Sequence, residues 1–532
     1  MWKYFRVASA SCQSVVFAEM NWLHLLLASF LAVTSATAAT YSNPVIPGDF
    51  PDPSIIRVGN EFWATATSSE WGPQFPLLHS TNLVDWELTG SVFKHRPTWA
   101  VANFWAPEIS EYGGKYYVYY VGRKKGGPLS VAVAMAEKPS GPYKDYGPLV
   151  SQADGSIDPV PVTNESDERY LVWKEDGNSQ HQPTILWAQP LTPDGLTLTG
   201  EPKDILRNDT PWEGAVIEGP FIVHRGEWFY LFYSGSGCCG RDCSYALGVA
   251  RSQSLLGPWE KNPANPILAG NATWKCPGHG SIVRDENERY WLLYHAYSTK
   301  DFVYAGREAL LDEVKFGTNG WPTINDGKGP SAQANLPFDM AQHRHTLFED
   351  HFAEPDLDAS WQWPQENEPI HRLPEAGSGL DLSPRPAFAT NLLGAIISQR
   401  TISGDYAATA VADVSDQKPG TFVGIAVIGD EANAVGLAIG DKKLMLWQER
   451  KGVHQRIASV EAPKPGQIHL RVSAKDGHIF QFSASDDGQK WTAVGGPQAG
   501  DYLPPWDRSI RVGLTVGGAR DAVGHFISFE MR

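Results

Sequence analysis

One pattern recurs five times in the first half of the chain, and it restricts the fold more than any other feature. Asp49-Phe50-Pro51-Asp52-Pro53-Ser54 is the first instance. Trp105-Ala106-Pro107-Glu108-Ile109, Ile157-Asp158-Pro159-Val160, Ile217-Glu218-Gly219-Pro220-Phe221 and Gly278-His279-Gly280-Ser281-Ile282 follow. The polar members Asp52, Glu108, Asp158, Glu218 and His279 lie 56, 50, 60 and 61 residues apart. Each opening leads to an aromatic strand: Glu61–Thr65, Lys115–Tyr119, Arg169–Trp173, Glu227–Leu231 and Arg289–Leu293. Ala134-Met135-Ala136 runs to Gly141-Pro142-Tyr143, and Ala250-Arg251-Ser252 to Gly257-Pro258-Trp259, as a third strand, a turn and a fourth strand would. Repeats of roughly 40–60 residues built from short strands predict a β-propeller. Five blades would aim their first strands at one axis, and the polar residues would converge near one end of it. A ring of carboxylates with a histidine is costly to assemble and marks a site of chemistry.

The rest of the chain sets bounds. A net charge of −16 without a basic patch excludes nucleic acid as partner. Leu25–Val33 followed by Ala36-Thr37-Ala38 reads as an export signal, too short to span a bilayer. Residues 1–39 are therefore expected to be removed and the protein to be secreted or periplasmic, with no membrane partner. Cys238, Cys239, Cys243 and Cys276 then favour disulfides over zinc, with three pairings open. Residues 40–316 are expected to form the propeller and 317–346 a polar connector. Residues 347–532, rich in alternating strands such as Ile468–Val472, are expected to form a β-sandwich. The fold class is all-β: a five-bladed propeller followed by a sandwich.

Asp52, Asp158 and Glu218, on different blades, suit glycoside hydrolysis. That reaction needs an acid for the leaving oxygen and a base for water, and a third carboxylate can raise the acid's pKa by like-charge repulsion. Abundant Trp, 20 residues, supplies flat faces for sugar rings.

Together, in order and at these intervals, Asn43–Ser54 and the boxes around Trp105, Asp158, Glu218 and His279 resemble glycoside hydrolase family 43 over residues 41–316. The resemblance implies an inverting, exo-acting hydrolase that releases pentose from plant cell-wall poly- or oligosaccharide, a β-xylosidase or α-L-arabinofuranosidase. An endo-arabinanase, a galactosidase and a non-catalytic sugar-binding propeller are the alternatives. It implies Asp52 as general base, Glu218 as general acid and Asp158 as the carboxylate that tunes the acid. Arg307 would lie near sugar and base, with Phe50, Trp105 and Glu108 as further substrate contacts. His279 would face a central water or a structural calcium ion, and no cofactor would be required for the chemistry. Asp49 and Glu213 are rivals for the base and the acid; Glu213 is expected on the pocket rim, and His295 in blade packing. The second domain resembles the concanavalin-like sandwich that follows some propellers of this family.

Overall fold

The computed structural model describes residues 39–338, 342–343, 347–373, 379–388, 392–463 and 466–532. The expected export signal, Ala39 apart, lies outside them, as do 339–341 and 344–346 of the expected connector. Among the described residues, five four-stranded antiparallel sheets follow one another in sequence, here blades 1 to 5. Their first strands are Ser54–Val58, Ala100–Tyr112, Ser156–Thr163, Ile217–Arg225 and Trp274–Arg284. These five neighbour one another in a closed ring, blade 5 meeting blade 1. The aromatic runs form the second strands, buried between blades. Val118 and Tyr120, Leu171 and Trp173, and Leu292 to Tyr294 carry little or no exposed surface.

The N-terminal segment ties the ring shut. Thr40–Ser42 pairs with Gln333–Asn335, and Asn43 exchanges side-chain hydrogen bonds with the backbone of Leu311 in blade 5 at 3.0 Å each. Blade 5 takes its fourth strand from Pro322–Ile324, inside the stretch expected as connector.

From Phe348 onward two sheets pack face to face. One contains Tyr406–Asp413, Gln467–Lys475, Ile479–Ser485 and Gly524–Met531. The other contains Ala395–Arg400, Phe422–Asp430, Asn433–Gly440, Lys443–Arg450, Val453–Glu461 and Arg511–Gly517. Alternate residues such as Ile468, Leu470, Val472, Ile425, Val427 and Leu514 fill the space between them, as a two-sheet sandwich requires.

Sandwich and propeller are joined by polar, buried contacts. Asp49 Oδ2 accepts from Ser509 N at 3.0 Å and pairs with Arg511 Nη2 at 3.3 Å, both side chains almost fully buried. The Arg400 guanidinium lies 4.3 Å above the Phe50 ring, and Trp363–Pro364 pairs with Trp71–Gly72. Of the open cysteine pairings, the chain adopts Cys238–Cys239 and Cys243–Cys276.

Candidate active site

Asn103 and Cys276 apart, one residue in or just before each first strand is in the left-handed region: Asp52 (φ 52°), Ala106 (42°), Asp158 (55°), Gly219 (56°) and His279 (35°). Pro or Gly follows each. In blades 2 to 5 the pairing with the second strand slips there. Such a bulge bends the strand and re-aims its side chains toward the axis. It also leaves a backbone N–H without a ladder partner, which must be satisfied elsewhere. The preceding blade supplies the acceptor. His295 Nδ1 takes Asp52 N–H (3.0 Å), and Thr67 Oγ1 takes Ala106 N–H (2.7 Å). Asp158 Oδ2 takes Gly219 N–H, and Ser234 Oγ takes His279 N–H, both at 2.8 Å. These latches offset left-handed backbone that costs about 1–3 kcal/mol per non-glycine residue.

The register changes one assignment. The blade 2 counterpart of Asp52 and Asp158 is Ala106, so Glu108 sits two residues further along its strand. It does not join the other carboxylates. Instead it lines a cavity of about 430 Å³ with Ile55, Ile109, Pro161, Ile222 and Ile282, all beyond the bulges. Burial pushes Glu108 up to about 8, the Ser54 hydroxyl working the other way.

Asp52, Asp158 and Glu218 come together at the bulged end. Burial alone would raise Asp52. Arg307, His279 and His295 override it and hold the carboxyl well below the usual range. Arg307 Nη1 donates to Asp52 Oδ1 at 3.1 Å, Thr67 Oγ1 donates to Oδ2 at 2.7 Å, and His279 Nδ1 stands 3.4 Å from Oδ1. Burial likewise pushes His295 down to about 4, so its ring is neutral at pH 7. Its Nδ1 accepts from Asp52 N and also lies 3.2 Å from Asp52 Oδ1. Burial and the charges of Glu218 and Asp52 push Asp158 up to about 6, against His279 and Lys174. Glu218 is lowered despite its burial, chiefly because Lys174 Nζ bonds its Oε2 at 2.7 Å. Tyr245 donates to Oε1 at 2.9 Å.

The other candidates divide. Arg307 is buried on Asp52, and its Nη2 donates to Asp507 O of the sandwich at 2.9 Å. Trp105 is half-buried near the bulges and meets Trp506 of the sandwich edge-on, centroids 6.0 Å apart. Phe50 is packed into the blade 1 core beneath Arg400. Asp49 faces Arg511 and Ser509, turned away from the carboxylates. Glu213 is a correction: it is fully buried, not on a rim, accepting from Tyr233 OH at 2.7 Å and pairing with Lys261. His279 turns its Nδ1 to Asp52, and calcium prefers oxygen ligands. Among the described residues no group of three His, Cys, Asp or Glu side chains is arranged to hold a metal.

Thr67, Lys174, Asp176, Tyr245 and His295 complete the site and were not singled out from sequence as site residues. Only Lys174 left a signal, as a charge ending the apolar run Tyr170–Trp173. At the mouth, Trp506 is 62% exposed, and Gly240, next to the Cys238–Cys239 bridge, packs against its backbone.

The family model described as glycosyl hydrolases family 43 matches residues 41–322. That of the β-xylosidase C-terminal concanavalin A-like domain matches residues 349–517. The chain is 26% identical to the xylosidase/arabinosidase 43B of Humicola insolens, over 85% of this chain and 88% of that one. It is 25% identical to a non-reducing end α-L-arabinofuranosidase of Bacteroides ovatus, over 87% and 88%. The crystal structure of the BlXynB protein from Bacillus licheniformis superposes with a TM-score of 0.80 at 24% identity, covering 92% of this chain and 99% of that one. At this identity that likeness speaks for the fold alone.

Proposed function

The chain belongs to glycosyl hydrolase family 43, an inverting family of glycoside hydrolases, and from that premise we propose that it removes single pentose units from the non-reducing ends of plant cell-wall oligosaccharides. The units are β-D-xylopyranosyl, α-L-arabinofuranosyl or both. The observation that carries this is the convergence of two buried carboxylates, Asp52 and Asp158, and the half-buried Glu218, in different surroundings. Asp52 is kept ionised by Arg307 and His279, as a base must be. Asp158 is raised by its burial and by the charges of Glu218 and Asp52, whereas Lys174 holds Glu218 down.

In this mechanism Asp52 takes a proton from a water that attacks the anomeric carbon. Glu218 gives a proton to the glycosidic oxygen as its bond to that carbon breaks. Product release leaves Asp52 to lose its proton to solvent and Glu218 to regain one. Asp158 favours the protonated form of Glu218 by charge repulsion and, through Gly219 N–H, fixes the strand that carries it. Arg307 orients the base and faces the sugar.

Exo-action is supported by the sandwich loop at the mouth, where Asp507 binds Arg307 and Trp506 meets Trp105. It is also supported by the relatives, among them an extracellular exo-α-(1→5)-L-arabinofuranosidase of Cellvibrio japonicus. That name, with the Leu25–Ala38 pattern, supports secretion or a periplasmic location. The test is release of p-nitrophenol from β-D-xylopyranoside and α-L-arabinofuranoside substrates. Turnover of at least one is expected, falling roughly 100- to 10,000-fold in Asp52→Ala. Turnover of neither, or an unaffected Asp52→Ala, would reject the proposal.

A further inference from the structure

The residue that faces each bulge, on the second strand or just beyond it, follows one pattern in three blades and departs from it in two. Thr67 lies opposite Pro51, Ser234 opposite Glu218 and His295 opposite Gly278. Each turns a neutral acceptor onto the bulge N–H of the next blade. Val121 occupies the position in blade 2. In blade 3 the position is Lys174, opposite Ile157. An ammonium has no lone pair to offer an N–H, so the latch to Gly219 passes to Asp158. Lys174 Nζ is 2.9 Å from Asp176 Oδ1 and 2.7 Å from Glu218 Oε2, with its side chain 1% exposed. A latch needs no charge, and burying an unpaired ammonium costs several kcal/mol. Lys174 therefore occupies a latch position without serving as one.

We propose that Lys174, clamped by Asp176, is a positioning residue that sets the ionisation of Glu218 and divides the work of its two oxygens. Oε2 stays bonded to the ammonium. Oε1, beside the Tyr245 hydroxyl, carries the proton that goes to the leaving group. Tyr245 can accept from Oε1 when it is protonated and donate to it when it is not. When the bond to the anomeric carbon breaks, its electron pair stays on the leaving oxygen, the Oε1 proton moves there, and the new carboxylate is stabilised by Lys174. This rests on Glu218 being the general acid. Lys174 makes that acid stronger, with His279 acting in the same sense. Burial works against them, the Tyr245 hydroxyl works with them, like-charge repulsion ties Glu218 to Asp158 and Asp176, and Arg123 acts at a distance through Asp176.

The experiment is the pH profile of kcat/KM for the full chain and for Lys174→Met, Lys174→Arg, Asp176→Asn and Glu218→Gln. Each is run on two aryl glycosides of the preferred pentose, with 2,4-dinitrophenol and phenol as leaving groups. The basic limb reports the acid in the free enzyme. It is expected to move up by roughly 1–3 pH units in Lys174→Met, the range for losing an adjacent opposite charge. It moves down in Asp176→Asn and stays near wild type in Lys174→Arg. A purely structural residue would lower rates without moving the limb, and unmoved limbs in Lys174→Met and Asp176→Asn overturn the proposal. If Lys174→Met does not fold, Asp176→Asn alone decides. Glu218→Gln tests the premise separately. It should spare the dinitrophenyl substrate and slow the phenyl one by more than about 100-fold. Equal losses on both would remove Glu218 as the acid, and the proposal with it.

Discussion

The two ends of the propeller axis are built from the same five strands, yet they treat buried carboxyl groups in opposite ways. At the bulged end Asp52 and Glu218 each lie against a cation, Arg307 or Lys174, and both are held below their ordinary range. A few residues further along, Glu108 lies among isoleucines, the Arg57 and Arg284 guanidiniums that share its cavity being bonded to Gly59 and Glu288 instead, and burial pushes it up to about 8. Desolvation pushes all of them the same way, so the partner decides the charge. Asp158 stands between the extremes because burial and the charges of Glu218 and Asp52 raise it while His279 and Lys174 lower it.

The sharpest way to break this comparison is to neutralise one carboxyl at each end. Asp158→Asn is expected to lower kcat roughly 10- to 1000-fold, since it removes a negative charge that opposes Lys174 at Glu218. Glu108→Gln should leave kcat/KM within about twofold of wild type. Equal losses in the two variants would place Glu108 in the active site after all.

Glu108 also makes a prediction about stability. Its folded-state pKa is raised, so the folded chain binds more protons than the unfolded chain between about pH 4.5 and about pH 8. Stability from this group is full below that window and falls as pH rises through it. The Tm of Glu108→Gln relative to wild type should therefore climb across the window and level off above it. A constant difference would mean that Glu108 titrates normally.

A smaller effect is expected at the mouth. Trp506→Ala should raise KM for a single-sugar aryl glycoside by roughly two- to tenfold, from ring contacts worth about 0.5–1.5 kcal/mol. It should leave the basic limb of the pH profile unmoved. A shifted limb would place Trp506 in the electrostatics of Glu218 as well as in the wall.

The sequence revealed the blades and the three acids because the bulge is written locally, as an acid or glycine before proline. It misplaced Glu108 for the same reason. In blade 2 the bulge falls on apolar Ala106, and the nearest carboxylate stood in for it. Lys174, Thr67 and His295 were hidden because their roles depend on cross-strand register and on which blade follows which. Glu213 shows the limit from the other side: Trp212-Glu213-Gly214 looks like an exposed turn, and only the packing of Tyr233 and Lys261 buries it.

The most direct test of the central claim is proton NMR of the first sugar released by the wild-type enzyme from a simple aryl pentoside of known configuration. With Asp52 as base toward water and Glu218 as acid toward the leaving group, the first anomer must have the inverted configuration, slow mutarotation following. A first product of retained configuration would mean that a carboxylate attacks the sugar itself, and the roles given to Asp52 and Glu218 would be wrong.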